Sequence, residues 1–300
     1  MTRKNYHGFF MALFFILILL FFSKDISNGI IYGIRLSVLF VIPAVFPFLV
    51  VADYITSKRI EFPFEGLIAK AFSIPETAVG ALVTGFICGF PSGAKALVKL
   101  YERNAISKKQ LESLIGLVNN PSLAFIVSGV GIGVLSSAFD GVLLFVSLIS
   151  ALFITANVFI SKQVSFSKTS DISRQRFDLV DSIKNAGLSS LLISSYIIFF
   201  SAVLVIFKKA KLPPIVYALI AAVFEIGNAT SDVKLLCLNQ YLKIFLCGFA
   251  IGFSGISVHL QSFSLLDKSV SAKKYVIMKF FVGVTTGVIA SILKTLFEII

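Results

Sequence analysis

Four short runs place polar side chains inside otherwise apolar stretches. They are Phe90-Pro91-Ser92-Gly93-Ala94-Lys95, Asn119-Asn120-Pro121-Ser122, a run from Glu225 through Asn228-Ala229-Thr230-Ser231-Asp232, and Gly252-Phe253-Ser254-Gly255 with His259 and Gln261 just beyond. Pro and Gly interrupt the helical hydrogen-bond ladder. A helix that restarts at the interruption aims unpaired N–H groups, and the positive end of its dipole, at the gap. Ser92 can cap the helix after the first run, with Gly93 allowing close approach of backbone or solute. Pro121 suits the first position of a new half-helix, with Asn120 as its cap. Such a gathering of N–H groups, amides and hydroxyls binds a small solute, and an anionic one best. Glu225 and Asp232 are costly in an apolar setting, which makes them candidates for coupling to a proton or cation.

Each of these residues also has a plainer reading. Lys95 either faces an anionic solute or snorkels to the surface from a short helix. Asp232 could cap a helix at a hairpin tip, and Asn119 and Asn120 could be interhelical hydrogen-bond glue. His259 and Gln261 could be satisfied polar groups of the core. Lys279 and Lys294 stand near span ends and read as snorkelling cations. Gly252-Phe253-Ser254-Gly255 with a histidine raises an intramembrane serine protease. His259 follows Ser254 by five residues, about 140° around a helix, so its ring faces away from the hydroxyl it would have to activate. His7, the other histidine, precedes the first span. An enzyme is therefore not expected. Cys88, Cys237 and Cys247 lack CxxC spacing and read as free thiols, and no metal or other cofactor is expected.

The elements that must position these runs are membrane helices. Of the residues, 57% are hydrophobic and only 14% charged, a balance that excludes a soluble globular domain and predicts an all-α polytopic membrane protein. The formal charge of +12 sits largely in short loops between apolar segments, where Lys and Arg set topology against an anionic leaflet. Nucleic acid is not an expected partner; the lipid bilayer is. Residues 8–22 follow a basic Thr2-Arg3-Lys4 start and offer no small-x-small cleavage site, so they predict a retained helix rather than a signal peptide. Full spans are predicted at 30–52, 113–135, 140–160, 187–207, 242–266 and 276–297. Residues 78–90 and 215–226 are too short to cross a hydrocarbon core of about 30 Å. They read as descending arms of re-entrant hairpins, with ascending arms at 94–101 and 233–242.

The order repeats. A long span, a proline-led short stretch, a span broken in its middle and an unbroken span occur twice. The division is a first helix in 1–27, a first repeat in 28–160, a cytoplasmic linker in 161–184 and a second repeat in 185–300. Three crossings per unit invert the second unit relative to the first. A cytoplasmic N-terminus places Lys58, Arg59, Lys99, Arg103, Lys108, Lys109, the linker, Lys268, Lys273 and Lys274 inside. Lys208, Lys209 and Lys211 fall outside, against the rule. If the hairpins spanned, nine crossings would result.

At these same residues the chain resembles a family. "GFICGFPSGAKALVKLYERNAISKKQLESLIGLVNNPS", "FEIGNATSDVKLL" and "GFSGISVHLQ" look like the motifs of the sporulation integral membrane proteins of the YlbJ (SpoVV) type. That group belongs with the nucleoside-recognition Gate proteins and the concentrative nucleoside transporters. The resemblance runs from about residue 30 to the end. It implies two inverted repeats, each with a re-entrant hairpin and an unwound helix. It further implies transport of dipicolinate, or of a nucleoside-like solute, across the outer forespore membrane of a sporulating bacterium. Carried over, Pro91, Ser92, Gly93 and Lys95 form the first tip, and Asn119, Asn120 and Ser122 the first unwound helix. Glu225, Asn228, Ser231, Ser254, Ser257, His259 and Gln261 are their second-half counterparts. Phe253 stands where the family often has glycine, which bears on the substrate more than on the fold. Two other readings remain, a non-transporting scaffold or gating protein for spore assembly and a metal-ion permease. The oligomeric state is open, a homo-oligomer included.

Overall fold

The computed structural model describes residues 6–58, 64–160, 178–267 and 269–299. Thr2-Arg3-Lys4, Arg59, Lys268 and residues 161–177 of the expected linker lie outside them. The described residues are mostly helical, with no strand among them. Four helical runs are long and apolar enough to cross a membrane: Ala138–Phe159, Leu179–Lys209, Gln240–Phe263 and Lys273–Glu298. This is an integral membrane protein.

The N-terminal quarter is more bent than its hydropathy predicts. Helix α1 (Tyr6–Phe21) meets α2 (Ser23–Leu36) at 84°. Nearly all of α1's apolar side chains stay exposed, Phe9, Phe10, Phe14 and Phe21 among them, a surface suited to lipid chains. The span expected over 30–52 is part of a longer run in which α2 continues through a π-helical stretch, Ser37–Val41, into α3 (Ile42–Lys58). Pro43 and Pro47 have no N–H to give, and the helix widens just ahead of the first of them. A short α4 (Glu65–Ala71) stands at 88° to α5 (Glu76–Cys88).

Two helical hairpins and two interrupted helices follow in the expected order. Helix α5 turns at Gly89-Phe90-Pro91 into α6 (Ser92–Glu102). Helix α7 (Lys108–Val118) breaks over Asn119-Asn120-Pro121-Ser122 and resumes in a helical run that becomes π-helical over Phe125–Ile132. The unbroken α8 (Ala138–Phe159) closes this half. Helix α9 (Leu179–Lys209) opens the other half, its first turn capped by Asp178, whose carboxylate accepts from the N–H groups of Val180 and Asp181. Then come α10 (Pro214–Phe224), α11 (Ile226–Leu235), α12 (Gln240–Phe253), α13 (Gly255–Phe263) and the unbroken α14 (Lys273–Ile299). The second hairpin turns earlier than expected. Its ascending arm begins at Ile226 and ends at Leu235, so the Asn228–Asp232 run is helix and Glu225 is the tip.

Without a hydrophobic drive between helices in lipid, close packing relies on small residues. Gly248 and Gly252 on α12 face Gly287 and Gly283 on α14. A Cβ at Gly248 would stand 2.9 Å from Gly287 Cα, and one at Gly252 2.7 Å from Gly283 Cα. The first hairpin is fixed more tightly still. Gly85 on α5 and Gly93 on α6 straddle the main-chain carbonyl of Val118, and a Cβ on either would come within 2.0 Å of that oxygen. Gly85→Ala and Gly93→Ala are each expected to cost about 3 kcal/mol or more, because a well-packed backbone cannot yield. Gly187→Ala, with open space around it, is expected to stabilise α9 by up to about 1 kcal/mol. Thermal unfolding of the purified variants in detergent or nanodiscs reads both effects.

Candidate functional site

The first hairpin tip sits on the first helix break. Gly89, at φ 75°, lies against Ser122, whose N–H would be 3.0 Å from a Cβ placed there. Only glycine fits that approach without strain. Pro91, after a cis Phe90–Pro91 bond, occupies the cap position of α6. Ser92 is thus the first helical residue and not the cap. It is buried, and its Oγ has no hydrogen-bond partner. Ser122 instead of Asn120 caps the half-helix after the break, its Oγ accepting from Phe125 N–H at 3.2 Å. Asn120 turns back, its amide donating to Leu117 O.

The break itself is filled by a residue that sequence reasoning assigned to the surface. Lys279 on α14 is fully buried. Its Nζ donates to the main-chain oxygen of Asn119 at 3.0 Å and to Asn120 Oδ1 at 3.3 Å. The Asn119 amide donates to Ser262 Oγ on α13 at 2.6 Å and to Tyr275 OH on α14 at 3.0 Å, while its Oδ1 has no partner. The first break is therefore held by α13 and α14 of the other half. Helix α14 starts at Lys273, so Lys279 lies about 9 Å inside it. Lys273 and Lys274 already supply interfacial cations; that was the available sign that Lys279 had another task.

The second tip and break mirror this arrangement with different residues. Ser254, at φ 72°, separates α12 from α13, and Gly255, at φ 76°, lies against Glu225. A Cβ on Gly255 would stand 3.1 Å from Glu225 N and from Phe224 O. Glu225 is buried and caps α11. Its two carboxylate oxygens accept from Gly227 N–H at 2.9 Å, Asn228 N–H at 2.6 Å and the Asn228 amide at 2.7 Å. The partial positive charge of the helix start compensates the carboxylate there. Asn228 reaches on to Ser201 on α9 at 2.9 Å.

The remaining second-half residues spread along α11 and α13. Asp232 sits a turn past Asn228, accepting from Tyr217 OH at 2.6 Å and pairing with Lys208 on α9 at 3.2 Å. Ser231 lies near the side chain of Tyr32 on α2. His259 Nε2 bonds Phe253 O at 2.8 Å, so that nitrogen carries the proton and satisfies a carbonyl released by the break. Its ring packs edge-on against Phe253 and Tyr275. Gln261 and Ser257 face one another at 3.4 Å, and Gln261 Oε1 is otherwise unpartnered. Each tip thus meets the break of its own half.

Lys95 points to α9, its ammonium donating to Ser189 Oγ at 2.5 Å. Ser92, Lys95, Lys99, Asn185 and Ser189 line a small, partly open cleft with a volume of about 20 Å³. Lys294, the other lysine read as snorkelling, pairs with the fully buried Asp140 at 2.9 Å and with Glu298 at 3.1 Å. It ties α14 to α8 at the end away from Lys279.

Over 305 aligned residues the chain is 22% identical to the sporulation integral membrane protein YlbJ of Bacillus subtilis (strain 168), a match covering 84% of this chain and 74% of that protein. No family model and no solved structure matches it.

Glu225 carries a testable load. Glu225→Ala strips the cap from α11 and leaves two buried N–H groups unpaired, an expected loss of about 2 kcal/mol or more. Glu225→Asp should recover part of it. Thermal unfolding, with limited proteolysis of the second hairpin, measures the difference.

Proposed function

We propose that this chain is a secondary-type membrane transporter of a small anionic solute, with dipicolinate the preferred substrate, working in a spore-forming bacterium. The observation that supports this best is the twice-used arrangement of a hairpin tip seated on an interrupted helix. Beside the first tip lies a buried hydroxyl with no protein partner, Ser92 Oγ, which can donate to an anion. Polar groups in a membrane interior are expensive, and broken helices near the midplane are where transporters hold their cargo. In this reading the two halves are inverted repeats, the hairpins are re-entrant and the N-terminus is cytoplasmic. The solute meets the N-terminal end of α6 and the side chains of Ser92, Lys95, Asn119 and Ser257. Movement of the hairpins against α9 and α14 alternates access. The sporulation name of the B. subtilis relative supports the cellular setting; the outer forespore membrane is the location this reading assigns. A scaffold for spore assembly would keep the hairpins but bind no solute.

Uptake of labelled dipicolinate into proteoliposomes, with and without a pH gradient, tests the reading. Saturable uptake above empty liposomes is expected. Lys95→Ala and Asn119→Ala should lower it about ten-fold or more, the scale of one buried hydrogen bond to a charged group. No binding of dipicolinate or of a nucleoside to the purified protein, with both variants indistinguishable from the parent, sinks the proposal and favours the scaffold.

A further inference from the structure

Lys279 differs from Lys294 in what it touches. Lys294 is neutralised by Asp140 and Glu298. Lys279 is fully buried, and among the described residues no carboxylate pairs with it. Both of its partners are neutral oxygens, Asn119 O at 3.0 Å and Asn120 Oδ1 at 3.3 Å. Asn119 ends α7, so its carbonyl stands at the negative end of a half-helix inside the bundle. Released main-chain carbonyls, an amide oxygen and a half-helix C-terminus are the ligands by which membrane proteins hold a dehydrated sodium or potassium ion. Here an ammonium group, similar in size to potassium and bearing the same charge, reaches that place on a four-carbon stem from α14.

We propose that the Lys279 ammonium is a tethered cation filling an alkali-metal site at the first helix break. The break is then permanently loaded, and the protein holds it together without recruiting sodium or potassium. The site belongs to the fold and stands whether or not dipicolinate is the cargo.

The test reads stability, so it is separable from transport. The full-length chain in nanodiscs is unfolded thermally in choline, sodium and potassium chloride at equal ionic strength. The parent protein should show the same midpoint in all three. Lys279→Ala should fall by several degrees in choline and recover saturably with added sodium or potassium, or with methylammonium. Lys279→Met, which fills the space with an uncharged stem, should fall and not recover. A parent midpoint that rises with sodium or potassium overturns the proposal, as does an alanine variant that responds to salts no differently from the methionine variant. If Lys279→Ala aggregates in choline, it is extracted again in sodium and in potassium. Monodisperse protein in either supports the site, and none in both overturns it.

Discussion

A helix that stops inside a bilayer releases backbone groups that no water is present to satisfy, and protein must take them up. The packing around both breaks follows from that demand. Ser122 takes the N–H of Phe125, Lys279 takes the carbonyl of Asn119, His259 takes the carbonyl of Phe253, and Glu225 takes the N–H groups of Gly227 and Asn228. The glycines serve the same end by geometry. Gly89 and Gly255 let one broken backbone lie directly on another. Each break is satisfied by a different chemistry, a cation in the first half and an imidazole in the second. The two halves share an order of elements but not a set of ligands.

How much of this was legible in the sequence depended on whether the signal was local. The first tip is a local event, since proline fixes φ and glycine admits backbone angles other residues resist, and the turn at 89–91 and the breaks at 119–122 and 254 stand where the apolar runs falter. Caps were harder. Ser92 and Asn120 have the right side chains for the role, yet Pro91 and Ser122 occupy it, because a shift of one or two residues in register decides which N–H groups are exposed. The second tip was misplaced for a related reason. Asn228 and Asp232 are strong turn formers, but their side chains are taken up by Ser201 and Tyr217 on other helices, which leaves their backbone free to be helical. Glu225 became the turn because glutamate can cap when its carboxylate is held close.

Lys279 and Lys294 show the limit of judging a charge by its distance from a span end. Both were close enough to snorkel if nothing within reach wanted a cation. Asp140 is 154 residues from Lys294 and Asn119 is 160 from Lys279, so only the fold could reveal the need. The glycine pairs of α12 and α14, by contrast, carry a four-residue spacing that a reading for helix–helix contact would find.

Helix α9 runs unbroken through both hairpins' surroundings. Ser189 near its start holds Lys95 of the first hairpin, and Ser201 holds Asn228 of the second. Twelve residues of rigid helix set those two anchor points about 18 Å apart along one axis. The helix is therefore a ruler against which both hairpins are registered. A shift of either one along the membrane normal breaks its own serine contact and leaves the other's intact, so the two halves can be out of step with each other while each stays measured against the same rod.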